Sequence, residues 1–187
     1  MFSLFKELFS LCQKKPKKEI NTMICGIDQS GKTYFQEYFS STLENKEIKQ
    51  IYNIRTIGVN TVKMNYAEYE FCLWDIGGSE SIRNVWKRYL NDSHCILYCI
   101  DSSDEQRLNE SLECLSDLMQ NDMKNLPVCV ILTKNDILND NVQLAVESFA
   151  SQNDFIVSIK SFSTKNNKLY QEAEDIVEWC IQYTKVN

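Results

Sequence analysis

Eight residues near the start of the chain, GIDQSGKT from Gly26 to Thr33, set two glycines, a lysine and a hydroxyl at fixed offsets. Between a strand and a helix, GxxxxGK[ST] is chemistry for phosphate. Amides of a tight loop and of the helix that follows turn toward anionic oxygens. Asp28, Gln29, Ser30 and Gly31 line such a loop. Lys32 would reach the β- and γ-phosphates, and the Thr33 hydroxyl would ligate Mg²⁺. A second stretch, WDIGGSES from Trp74 to Ser81, holds a DxxG at Asp75 to Gly78. After a phosphate loop, that pattern points to a nucleotide switch. A third, TKND from Thr133 to Asp136, selects a base. The Asp136 carboxylate can accept two hydrogen bonds from the guanine N1–H and N2–H₂ edge. Adenine has no such donor pair, so a carboxylate here rejects ATP. The alkyl stem of Lys134 can lie over the purine face.

These groups act together only if elements bring them to one edge of a fold. INTMIC reads as a strand ending at the phosphate loop, with a helix from about Lys32. TVKMNY and YEFCLWD alternate around Ala67 and Glu68, an antiparallel hairpin. HCILYCID and PVCVILTKND are unbroken apolar runs, as expected of strands buried on both faces. DEQRLNESLECLSDLMQ carries Leu108, Leu112, Leu115 and Leu118 at helical spacing. NVQLAVESFA reads as a helix, DFIVSIK as a strand and KLYQEAEDIVEWCIQY as a final helix. Strands alternating with helices predict an α/β domain with a mainly parallel sheet and helices on both faces. Ligands of such sheets sit beyond the carboxyl ends of the strands, where every motif above falls.

Composition narrows the class. The chain has 187 residues, 43% of them apolar and 25% charged, suited to one globular domain. Two prolines and five glycines argue against disorder. Residues 1–19 hold five lysines against Glu7 and Glu19, a net of +3, so the rest carries −9 of the total −6. A basic end on an acidic body suits an anionic surface and disfavours a nucleic-acid-binding domain. Residues 1–14, MFSLFKELFSLCQK, place Met1, Phe2, Leu4, Phe5, Leu8, Phe9, Leu11 and Cys12 on one half of a helical wheel. Pro16 would end that helix. Residues 1–19 are therefore expected to be an amphipathic and basic segment ahead of a domain spanning 20–187. No apolar run reaches the roughly 18 residues of a membrane span. Lys6 and Glu7 break the pattern of a secretory signal. The eight cysteines form no CxxC pair and read as buried reduced thiols rather than a metal site or disulfide frame. His94, the single histidine, opens a strand and reads as structural.

GIDQSGKT, RTIGVN, WDIGGSESIRNVWKRYL, CIDSSD and TKND together resemble the ADP-ribosylation-factor-like branch of the Ras superfamily. The resemblance implies a P-loop G domain on a six-stranded, mainly parallel sheet, with an N-terminal amphipathic helix, switching between GTP and GDP with Mg²⁺. Thr56 matches the threonine that caps Mg²⁺ and senses the γ-phosphate. Asp75 matches the residue holding Mg²⁺ through water, and Gly78 the glycine whose amide meets the γ-phosphate. Ser163, Thr164 and Lys165 resemble the SAK loop that contacts the base edge through its backbone. In this family GTP slides the hairpin along the sheet and expels the N-terminal helix onto a membrane. An exchange factor, an activating protein and effectors are then expected around Thr56, Trp74, Trp86 and Tyr89, on a cytoplasmic protein that is peripheral on membranes when GTP is bound. Trp86 and Tyr89 could equally be plain core.

The chain departs from that pattern at several positions. Residue 2 is Phe, not Gly, which removes the acceptor for N-myristoylation. Cys12 reads as packing on the apolar face, with S-acylation as the alternative. Val59 stands where the family often has Phe, and Thr133 where it has Asn. The segment between Lys32 and Thr56 is longer than usual. Ser79 occupies the position of the glutamine that orients the attacking water, and serine is too short for that role. Two functions follow: a slow GTPase serving vesicle or ciliary trafficking, or a GTP-dependent binding module that does not hydrolyse. A P-loop nucleotide kinase is disfavoured, because TKND gives a guanine site and the arginines, Arg55, Arg83, Arg88 and Arg107, form no arginine-rich lid.

Overall fold

Alternating side chains sort each strand between two cores, and that sorting builds the sheet. The structure is a computed structural model and describes residues 17–51, 56–120, 125–135, 140–165 and 168–184. β1 (Lys18–Cys25) leads into the phosphate loop and α1 (Lys32–Leu43). β2 (Val59–Tyr66) and β3 (Tyr69–Ile76) form the hairpin. A 3₁₀ turn at Arg83–Val85 runs into the short α2 (Trp86–Leu90). β4 (Cys95–Asp101) is followed by a 3₁₀ turn at Glu105–Arg107 and α3 (Leu108–Met119). β5 (Val128–Thr133), α4 (Asp140–Ser151), β6 (Ile156–Phe162) and α5 (Leu169–Thr184) complete the order.

The six strands lie in the order β2-β3-β1-β4-β5-β6. Only β2 runs antiparallel to its neighbour. Ile20 and Ile24 of β1, with Cys95, Leu97 and Cys99 of β4, face α1 and α5. There Phe35 meets Phe162 edge to face at 4.8 Å and stacks on Phe39 at 5.2 Å. Met23, Cys25, Ile96, Tyr98 and Ile100 face the opposite way, toward α2, α3 and α4. The period of two within each strand is what makes both faces apolar. β4 and β5 are buried at every position because they have neighbours on both edges and helices on both faces.

Several boundaries differ from the sequence reading. β1 starts at Lys18 rather than Ile20, so Lys18 and Glu19 lie in the sheet. The hairpin supplies the partner: Lys18 N–H donates to Glu68 O at 3.1 Å. β2 starts at Val59, and β6 runs on to Phe162 because β5 pairs with it to Thr133. DEQR opens as a 3₁₀ turn because the Asp104 side chain accepts from Arg107 N–H at 3.2 Å. The amphipathic helix expected over residues 1–14 lies outside the described residues, as do Cys12, Pro16, Arg55 and Asp136.

Candidate nucleotide and cation site

The carboxyl ends of β1, β3, β4, β5 and β6 gather the motifs at one edge. At Gly26 the backbone takes φ 142°, and a Cβ there would stand 2.3 Å from Cys99 O. Only glycine allows the loop this turn so close to β4. Gly31 opens α1, no side chain caps that terminus, and its first turn holds no acidic residue. Its leading amides therefore stay free of side-chain partners, which leaves them for an anion. Lys32 is buried in the middle of the loop. Its ammonium donates to Ile27 O at 2.7 Å and lies 3.4 Å from Ser30 Oγ. Burial pushes its pKa below the ordinary lysine value. A desolvated cation facing uncommitted amides is a receptor for concentrated negative charge.

Three oxygens converge beside it. Thr33 Oγ1 donates to Asp75 Oδ2 at 2.6 Å and lies 3.0 Å from Thr56 Oγ1. The one Thr33 hydrogen is committed to Asp75, so Thr56 is the donor in the second contact. Asp75 is fully buried, and its Oδ1 has no hydrogen-bond partner. Burial raises its carboxyl pKa, against the lowering effect of Thr33 and then Lys32. An orphaned carboxylate oxygen and two hydroxyls form an all-oxygen set, which suits a hard divalent cation such as Mg²⁺. No group of three His, Cys, Asp or Glu that could hold a metal ion occurs among the described residues.

The DxxG segment is pressed against the phosphate loop. A Cβ on Gly78 would come within 2.3 Å of Gly26 O, 2.5 Å of Ile27 C and 2.6 Å of Asp28 N. Glycine is required here by close approach. Ser79 is half-buried, and its Oγ lies 3.4 Å from Ser81 Oγ. Its carbonyl starts the following turn, accepting from Ile82 N–H at 2.8 Å. Trp86 Nε1 donates to Gly77 O at 2.9 Å, and Arg83 Nε to Gly78 O at 3.1 Å. Arg83 also reaches Glu110 and Cys114 on α3. Nothing in the sequence reading pointed to this arginine beyond its place in IRNVW.

On the base side, Thr133 Oγ1 lies 2.8 Å from Ser30 O and 3.1 Å from Ile100 O. Its single hydrogen ties β5 to the phosphate loop or to β4, where an asparagine would have two. Lys134 holds φ 54° and donates to Gln29 O at 3.2 Å and to Asp101 Oδ2. Burial pushes the Asp101 carboxyl up, but hydrogen bonds from Lys134 and Ser103 outweigh it, and the net shift is downward. Ser163 N–H donates to Glu172 at 3.1 Å, and Lys165 N–H to Ser163 Oγ at 3.3 Å, so this loop is ordered at the same edge. Thr164 lies between them. Arg107 was not anticipated: it pairs with Asp104 and donates to Asp28 O at 3.2 Å and Asp28 Oδ1 at 3.3 Å. The Asp–x–x–Arg turn spacing was its only sequence signal.

Trp86 is 2% exposed and packs edge to face on Tyr98. In this conformation it is core, the second of the two readings left open for it. Trp74 and Tyr89 are half-buried, with ring centroids 5.1 Å apart. Ile57, beside Thr56, is 88% exposed and was missed as a candidate contact. His94 Nδ1 accepts from Asn21 N–H at 2.8 Å, a structural use of the imidazole.

A family model described as the ADP-ribosylation factor family matches residues 4–183. ADP-ribosylation factor-like protein 13B of Chlamydomonas reinhardtii is 30% identical over 138 residues, covering 73% of this chain. The match spans only 25% of that relative's length. ADP-ribosylation factor-related protein 1 of Rattus norvegicus is 31% identical over 141 residues, covering 73% of this chain and 69% of the relative. Among solved structures, the Arl6 BBS3 small GTPase from Trypanosoma brucei with bound GppNp superimposes with a TM-score of 0.65 at 16% identity, over 88% of this chain and 99% of that one. Translation elongation factor SelB from Methanococcus maripaludis, in complex with GppNHp, gives 0.73 at 17% identity over 92% of this chain and 36% of its own. At these identities the structural likeness bears on the fold: a P-loop α/β sheet of this order.

Proposed function

The chain belongs to the ADP-ribosylation factor family, and on that premise we propose that it is a GTP/GDP switch with slow intrinsic hydrolysis. The observation that carries the reading is the convergence of Thr33, Thr56 and the orphaned Asp75 oxygen beside a buried Lys32. Asp28 to Lys32 would hold the phosphates through backbone amides and the Lys32 ammonium. Thr33, Thr56 and Asp75, the last through water, would hold Mg²⁺. Bound there, Mg²⁺ would offset the charge of the β- and γ-phosphates. Gly78 would offer its amide to the terminal phosphate, and Thr56 would register its presence. Thr133, Lys134, Ser163, Thr164 and Lys165 frame the guanine side, with specificity resting on Asp136.

Ser79 sets the rate. Its hydroxyl sits against Ser81 and lacks the reach of a glutamine amide, so no side chain at this position aims a water. Glu80 and Ser81 are exposed, and either could be recruited by an activating partner. Exposed Ile57, with half-buried Val59, Trp74 and Tyr89, forms the surface that would report the nucleotide to effectors. Residues 1–19 would carry the switch to membranes in the GTP state, through an apolar helical face and five lysines. The protein would then work from the cytoplasm, at membranes of vesicle or ciliary trafficking.

Ser79 also favours a second reading, a module that binds effectors with GTP and never hydrolyses it. Single-turnover hydrolysis separates the two. Purified protein is loaded with GTP and Mg²⁺, its occupancy is confirmed, and GDP is followed by chromatography. Slow appearance of GDP supports the switch. GTP that stays intact while bound supports the module. Failure to load either nucleotide overturns both.

A further inference from the structure

Two consecutive carbonyls of the DxxG segment are gripped by side chains from the turn and helix that follow. The Gly77 carbonyl accepts from the Trp86 indole at 2.9 Å, and the Gly78 carbonyl from Arg83 Nε at 3.1 Å. A trans peptide is planar, so each carbonyl fixes the opposite direction for the next amide. The Gly78 N–H points away from the indole, and the Ser79 N–H away from the guanidinium. Glycine–glycine–serine has little side chain of its own to set these directions. Trp86 is locked by its burial in the core. Arg83 is locked differently: its guanidinium is bound on α3 by the Glu110 carboxylate and by Cys114 Sγ. α3 is itself anchored by Leu108, Leu112, Leu115 and Leu118 in the core. The chain of contacts therefore runs from the core of α3, through Glu110 and Arg83, to the peptide that follows Gly78.

We propose that Arg83, braced by Glu110, is a positioning residue that lets the site distinguish a terminal phosphate. The inference rests on the GTP/GDP reading above. With Ser79 too short to contribute a side-chain contact, this position must engage a γ-phosphate through backbone amides alone. Their orientation is what Arg83 holds. GDP has no γ-phosphate and draws on the phosphate loop, Lys32 and the base-side residues, none of which Arg83 touches. Loss of the brace should thus weaken binding of the triphosphate and spare the diphosphate. A merely structural ion pair would affect both or neither.

The test uses the full chain with Mg²⁺, measuring affinity for GDP and for a non-hydrolysable GTP analogue by competition against a fluorescent nucleotide. Two variants are compared with wild type. Arg83→Lys keeps the charge but loses the Nε donor and the planar fork. Glu110→Gln keeps the shape and removes the charge that braces the guanidinium. We expect both to bind the GTP analogue about tenfold more weakly, as loss of one charge-assisted hydrogen bond implies. GDP affinity should stay within about twofold, and it also verifies that each variant folds. An unchanged ratio of the two affinities, or an equal loss of both, in either variant overturns the proposal alone. Wild type that binds neither nucleotide removes the GTP/GDP reading and this inference with it.

Discussion

At Ser79 the side chain ends in one hydroxyl directed at Ser81. Replacement by glutamine adds a carboxamide at a half-exposed position. Ser79→Gln should raise single-turnover GTP hydrolysis by on the order of tenfold, through water positioning alone. A rate equal to wild type would mean that another group holds the water. Asp75 makes a prediction of opposite character, about the protein without nucleotide. Its folded pKa stands above its ordinary 3.8 because burial disfavours the charge. Between those two values the unfolded carboxyl has lost its proton while the folded one keeps it. The contribution of Asp75 to stability is therefore fully present below the ordinary value and is lost as pH rises through the folded value. Melting temperatures in EDTA, from about pH 4 to about pH 7, should fall more steeply for wild type than for Asp75→Asn. Mg²⁺ with GDP should remove the difference in wild type, because a cation favours the ionised form. Parallel pH profiles for the two proteins in EDTA would refute this.

At the scale of elements, the buried Gln36 of α1 reaches both strands of the hairpin. Gln36 Nε2 donates to Leu73 O at 3.1 Å, and Gln36 Oε1 accepts from Asn60 Nδ2 at 2.8 Å. Gln36→Leu fits the same space and strands those partners. It should cost about 1–3 kcal/mol, which in a chain of this size lowers the melting temperature by about 2–4 °C per kcal/mol. Hydrogen exchange should quicken first in β2, and a melting temperature within a degree of wild type would argue that water replaces the glutamine. Gln36 escaped the sequence reading because a polar residue on a helix gives no sign of which strand lies beneath it. The strands themselves were legible: CILYCID and VCVILT could only be buried, and the phosphate loop announced its own strand and helix. Their ends were not, because Lys18 and Glu19 extend β1 only once the hairpin is there to pair with. In the site, loop residues with fixed offsets could be read from one stretch of chain. Arg83 with Glu110 and Arg107 with Asp28 could not, since each joins residues that only the tertiary fold brings together.

At the scale of the whole molecule, charge is segregated: residues 1–19 carry +3 and the remainder −9. A surface rich in anionic lipid should attract the first and repel the second. Protein loaded with a non-hydrolysable GTP analogue should sediment with anionic vesicles, and GDP-loaded protein should stay in solution. Raising salt to about 0.5 M should weaken the sedimentation, since exposed charges are then largely screened. Equal sedimentation in both nucleotide states would remove the toggle. Attachment through that end would have a mechanical consequence. β1 lies inside the sheet, paired with β3 from Lys18 to Ile24 and with β4 from Thr22 to Cys25, all in parallel. A pull transmitted through Lys17 would load β1 along its own axis. The hydrogen bonds to both neighbours would then bear the force in shear and fail together rather than one by one. Lys17 Nζ also holds Asn65 Oδ1, and Lys18 N–H holds Glu68 O, so the same tug would arrive at the hairpin turn before it reached the phosphate loop. The strand would serve as a stiff tie-rod between a membrane anchor and the nucleotide.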